Sequence, residues 1–134
     1  MLTLRLLVAG TAIAAAACAS SSSPLRPTRD ARISDLSETT CERYGDPGAA
    51  CPGYGTSTGQ RYQTKTDCKR DLAKMAGVLW PADKCGAGRI NPDRYASCED
   101  SAEAFAYSTG ATSLTDGISA LDGCQSSKVC IDPP

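Results

Sequence analysis

The chain has 134 residues, with 14 basic against 15 acidic side chains and no histidine. Charges are mixed along it and no basic stripe appears, so nucleic-acid binding has no electrostatic support. The missing histidine removes the commonest general base, the commonest transition-metal ligand and the usual pH switch.

Residues 1–17 read as an export signal. Arg5 is its only charge, and Leu6 to Ala17 is an apolar run of about a dozen residues. That is short of the roughly 18 needed to span a bilayer, which argues for a segment that is removed. Two cuts fit the exit. Ala17-Cys18-Ala19 suits ordinary signal peptidase and would leave a soluble chain starting at Ser20. Ala15-Ala16-Ala17-Cys18 looks like a bacterial lipobox, with acylation of the Cys18 sulfur, although Ala15 stands where leucine is usual. A cysteine at the end of the apolar run favours the second cut. So does the tether-like Ser20-Ser21-Ser22-Ser23-Pro24 behind it. A multiply acylated cysteine is an essentially permanent membrane anchor, because each buried CH₂ contributes roughly 0.8 kcal/mol.

Residues 18–32 read as a flexible, Ser- and Pro-rich tether, and residues 33–134 as one domain. After removal of the signal, 13 basic and 15 acidic residues remain, a net charge of −2. From Thr39 onward only ten Leu, Ile, Val and Phe side chains are present, about a tenth of the segment. So few apolar groups do not offset the ordering entropy of the chain. Cross-links must supply the difference, and Cys41, Cys51, Cys68, Cys85, Cys98, Cys124 and Cys130 are spread over the whole domain. In an exported chain this reads as a disulfide framework. With no Cys-x-x-Cys pair and no histidine, neither a zinc site nor a thioredoxin-type redox site is expected, and no metal or cofactor is implied. Seven is odd, so three bridges form at most and one thiol is left over.

A first short helix is expected from Ile33 to about Tyr44, closed by Gly45, followed by a turn at Asp46-Pro47-Gly48. Residues 52–63 form a Gly-rich loop. Its Tyr54 and Tyr62 could stack on a sugar or peptide, or simply pack down. The loop lacks the Gly-Lys-Ser/Thr ending of a phosphate loop. The clearest helix spans Thr66 to Trp80, with Cys68, Leu72, Met75, Ala76 and Leu79 on one stripe. Thr64-Lys65-Thr66-Asp67 offers a capping-box start and Pro81 a stop. Asn91-Pro92 starts a helix to about Tyr107, with Tyr95, Cys98, Ala102 and Phe105 inward. Glu99 and Glu103 lie one turn apart on it. Such paired carboxylates can do acid–base work, but with no partner in view they read as a solvated face. A further helix carries Leu114, Ile118, Leu121 and Cys124, and Cys130 ends a last turn. No strand alternation persists, so the expected fold is all-α, with three to four short helices braced by disulfides.

Several segments resemble a family of small, chiefly myxobacterial lipoproteins labelled "natural product biosynthesis lipoprotein". Gly59-Gln60-Arg61-Tyr62 with Thr64 and Cys68 is similar to its Gly-x-x-Tyr-x-(Ser/Thr)-x₃-Cys. Cys85 through Gly88-Arg89-Ile90 to Cys98, and Leu114-Thr115-Asp116-Gly117-Ile118 through Cys124 and Val129-Cys130, are similar to its later motifs. The loop around Tyr44–Gly55 is longer than the family's. The family also tends to carry another cysteine where this chain has Ala106-Tyr107-Ser108, which implies that one bridge has lost a partner. If helices 67–80 and 92–107 pack as an antiparallel hairpin, Cys85 faces Cys98 and Cys68 faces the missing cysteine. Cys68 is then the free thiol, and Cys41, Cys51, Cys85, Cys98, Cys124 and Cys130 form the bridges.

The expectation is a non-enzymatic, lipid-anchored protein of the bacterial envelope, linked through the resemblance to natural-product biosynthesis. It would act on an envelope protein or glycan by binding or as a structural element. The alternatives are a secreted inhibitor or toxin-like protein, and an enzyme accessory using carboxylates such as Glu99 and Glu103.

Overall fold

The computed structural model describes residues 27–50, 53–108 and 114–131. Cys18, Cys51 and the signal segment lie outside them. The described residues contain six helices: α1 (Arg29–Tyr44), α2 (Lys65–Leu79), α3 (Ala82–Cys85), α4 (Pro92–Ser108), α5 (Leu114–Ser119) and α6 (Ser126–Val129). A 3₁₀ turn, Asp122–Cys124, precedes α6. They contain no strand beyond one isolated antiparallel bridge between Ile90 and Cys130. The all-α, disulfide-rich expectation is met.

Local chemistry sets the helix starts. The Thr28 hydroxyl accepts from the Ala31 amide at 3.2 Å. This cap begins α1 four residues before the expected Ile33, within what had read as tether. The added turn is polar, and its value is long-range. Arg29 donates to the Gly77 carbonyl at 2.9 Å and to the Trp80 carbonyl, satisfying the C-terminus of α2. Arg32 stacks over the Tyr95 ring at 4.4 Å. Thr64 and Asp67 form the capping box of α2. The Asn91 side chain accepts from the amides of Asp93 and Arg94 at 3.0 and 3.2 Å, starting α4 at Pro92. The helix expected to carry Leu114 through Cys124 stops at Ser119; Leu121 is extended, and Cys124 sits in the 3₁₀ turn.

α1 is the central element, packed along both α2 and α4. α2 runs antiparallel to it: Lys65 meets Glu38 and Glu42 at one end, and Gly77 meets Arg29 at the other. α4 runs parallel to it, with Tyr95 bonded to Arg32 and Glu103 paired with Arg43. The core is Leu36, Tyr44, Leu72, Trp80, Tyr95, Leu114, Ile118 and Val129, all fully buried. Met75, Leu79 and Phe105 pack against it while partly exposed.

The disulfides follow from this order and correct the expected pairing. They join Cys41 to Cys68, Cys85 to Cys130 and Cys98 to Cys124. Cys68 is therefore not the free thiol. The expected hairpin of α2 with α4 ignored α1, which packs on both and brings Cys41 to within 6.0 Å (Cα–Cα) of Cys68. Cys85 does not face Cys98, because the Ile90–Cys130 bridge brings the last turn of the chain up to α3. With six cysteines paired, the seventh downstream of Cys18 is Cys51.

Candidate functional site

Glu99 and Glu103, read as a solvated pair, are both engaged by α1. Glu99 accepts from Thr39 and from Tyr95, each at 3.1 Å. Glu103 lies 3.3 Å from Arg43. Burial, then the negative charge of Glu99, pushes the Tyr95 phenol well above its usual value, so its proton stays in place. These carboxylates are anchors between helices.

The Gly-rich loop offers no open aromatic platform. Tyr62 is buried and packs edge-on to Tyr44, with ring centroids 5.6 Å apart. Tyr54 also packs against Tyr44, with ring centroids 5.7 Å apart, and donates to the Cys41 carbonyl. Its ring leaves Gly45 no room for a side chain, since a Cβ there would sit 2.5 Å from the ring edge. Both tyrosines serve to fasten the loop over the end of α1.

A concavity lies along α2 and its approach, lined by Arg61, Tyr62, Asp67, Arg70, Asp71 and Lys74. Tyr62 donates to Asp71 at 2.9 Å, and Arg61 lies 3.7 Å from the same carboxylate. Burial, then the bond to Asp71, raises the Tyr62 pKa, which makes the phenol a fixed donor and no acid at neutral pH. Hydrogen bonding from Thr64, then Arg70, holds Asp67 below the usual carboxylate range. Lys74 is exposed and has no ion-pair partner among the described residues.

A second groove continues from the first. It shares Asp71 and Lys74 and runs over Met75, Val78 and Leu79 to Thr115, Asp116 and Ser119 on α5. Val78 is 78 % exposed, the most exposed large hydrophobic side chain among the described residues. Asp67, Asp71, Lys74 and Val78 are spaced i, i+4, i+7, i+11, the rhythm of the buried stripe shifted by one residue. Sequence reasoning used that rhythm only for the core, although the outer stripe was readable by the same rule.

The arrangement is charged at the start of α2 and apolar at its end. The carboxylates and phenol that line it are held by partners, which suits recognition better than proton transfer. No described helix is long and apolar enough to cross a membrane.

Residues 41–132 match the model of a family of unknown function, DUF6184. The match starts at the first cysteine of the bundle and ends just past the last. No curated protein and no solved structure matches the chain.

Proposed function

The chain belongs to the DUF6184 family, whose function is unknown; we propose a non-enzymatic binding module, exported and held at a bacterial envelope membrane by a lipid on Cys18. The observation that carries the binding role is the continuous outer face of α2, charged around Arg61, Arg70 and Lys74 and apolar around Met75 and Val78. A face that alternates ion-pairing groups with aliphatic side chains suits a protein partner in the envelope. The two tyrosines of the Gly-rich loop, on which a sugar could have stacked, are packed against Tyr44 instead. The anchor rests on the Ala15-Ala16-Ala17-Cys18 segment, and the link to natural-product biosynthesis rests on sequence resemblance alone.

Intact mass of the protein from a native membrane fraction tests the anchor. A chain starting at Cys18 with acyl mass, gaining six protons on reduction, supports it. A chain starting at Ser20 overturns it and moves the secreted-inhibitor reading forward. Site-specific photo-crosslinking in intact cells tests the binding face. A probe at Lys74 should capture a discrete adduct that disappears in R70E/V78D, while a probe at Asp100 should not. Equal capture from both positions overturns the assignment of the face.

A further inference from the structure

The N-terminal chain enters at one defined end of the bundle. Arg29 ties the first turn of α1 to the carbonyls of Gly77 and Trp80, so Thr28 lies beside the end of α2 and the start of α3. At this same end two adjoining grooves share Ser127, Cys130 and Ile131. Lys84 and Arg89 line one of them, and Arg94 lines the other.

Most cations are paired, at this end Arg29 with Asp30 and Arg32 with Asp35. Away from this end Lys65 and Lys69 pair with Glu38, Arg61 with Asp71, Arg70 with Asp67, and Arg43 with Glu103. Arg89 instead donates to the Asp83 carbonyl at 2.6 Å and Arg94 to the Lys128 carbonyl at 3.0 Å. Among the described residues neither guanidinium meets a carboxylate, and Lys84 has no ion pair. Asp83, Asp93 and Asp122 share this end, and Asp122 is 3.9 Å from Lys128. The local charge excess is thus small. The distinctive feature is two guanidiniums fixed by backbone carbonyls with donors to spare, since each guanidinium carries five. Such groups suit bidentate contact with phosphate oxygens.

We propose that this end of the bundle is the membrane-facing end, and that Lys84, Arg89 and Arg94 dock on the headgroups of anionic phospholipids. The inference rests on the lipid-anchor reading for its geometry. Nine residues separate Cys18 from Thr28. Fully extended they reach about 35 Å, more than the roughly 24 Å length of α1, so a tether alone does not orient the domain. The cationic end does so, and it leaves the start of α2, with Arg61 and Arg70, pointing away from the bilayer.

The test uses the acylated mature protein on vesicles, with intact mass confirming the acyl group first. Amide exchange at residues 84–91 and 126–131 is compared on phosphatidylcholine vesicles with and without phosphatidylglycerol. Exchange there should slow severalfold only when phosphatidylglycerol is present, and exchange at residues 53–60 should not change. R89Q/R94Q should abolish the difference, because each cation near an anionic surface is worth roughly fivefold in partition. Equal exchange on the two vesicle types overturns the proposal. Protection on neutral vesicles that grows with protein density also overturns it and assigns the face to a second copy. If intact mass shows no acyl group, the anchor reading fails on its own. Sedimentation with phosphatidylglycerol vesicles, salt-sensitive and lost in R89Q/R94Q, then still supports the docking face, and its absence overturns it.

Discussion

Trp80 donates its indole N–H to the Cys124 carbonyl at 2.8 Å. The residue that ends α2 is thereby bonded to the 3₁₀ turn beyond α5, and its ring packs edge-on to Tyr95 of α4 at 5.9 Å. Trp80 is fully buried. Trp80→Ala should destabilise by about 3–5 kcal/mol. Trp80→Phe keeps most of the packing but strands a buried carbonyl, at about 1–3 kcal/mol. Urea unfolding of the oxidised proteins checks both values. A smaller loss for Ala than for Phe would contradict the packing described.

Alkylation without prior reduction should label Cys51 and leave Cys41, Cys68, Cys85, Cys98, Cys124 and Cys130 unlabelled. Peptide mapping checks this, and label on Cys68 would contradict the pairing with Cys41. Each bridge closes a loop of 26 to 45 residues. In the chain-entropy model that is worth about 3–4 kcal/mol per bridge, so full reduction should unfold the domain. Loss of the helical circular dichroism signal on adding reductant is the expected result.

Glu38 bridges Lys65 and Lys69, whose hydrogen bonds hold its pKa at about 2 against an ordinary 4.5. The folded state therefore binds this proton less readily than the unfolded chain. The stabilisation is fully present above about pH 4.5 and is lost as pH falls towards 2. The group is open to solvent, so the effect is modest and falls with salt. Glu38→Gln should flatten the decline of the urea midpoint between these pH values, and an unchanged slope would remove Glu38 from the account.

Gly117 sits under the Phe105 ring. A Cβ at Gly117 would lie 1.9 Å from the ring, far inside contact distance. Gly117→Ala should therefore destabilise by about 1–3 kcal/mol through overpacking, despite the better helix propensity of alanine. Thermal melts of G117A and of G117A/F105L check the cause, because the smaller side chain should recover part of the loss.

The sequence was most legible where local chemistry decides the outcome. The capping box at Thr64 and Asp67, the Asn91-Pro92 start and the Cys68–Leu72–Ala76 stripe all place helices where they occur. It was least legible where distant residues decide. The first turn of α1 has no apolar stripe and is held by Gly77, Trp80 and Tyr95, about fifty or more positions away. Cysteine spacing alone does not specify connectivity. The pairing of Cys41 with Cys68 follows only once α1 is known to lie along α2. The outer face of α2 carries a spacing that the sequence displays. The placement of α5 beside it depends on tertiary packing of Leu114 and Ile118.

The three bridges fall into two separate covalent rings. One spans residues 41–68; the other spans 85–130 and encloses the Cys98–Cys124 bridge within it. Among the described residues no cross-link joins the rings, so residues 69–84 are a single mechanical strand between them. If the two rings are pulled apart, that strand and the contacts around Trp80 bear the tension while both rings stay closed. A protease cut between Ala73 and Pro81 would leave the C-terminal ring held by non-covalent packing alone, whereas a nick in the Gly-rich loop would leave every fragment covalently attached.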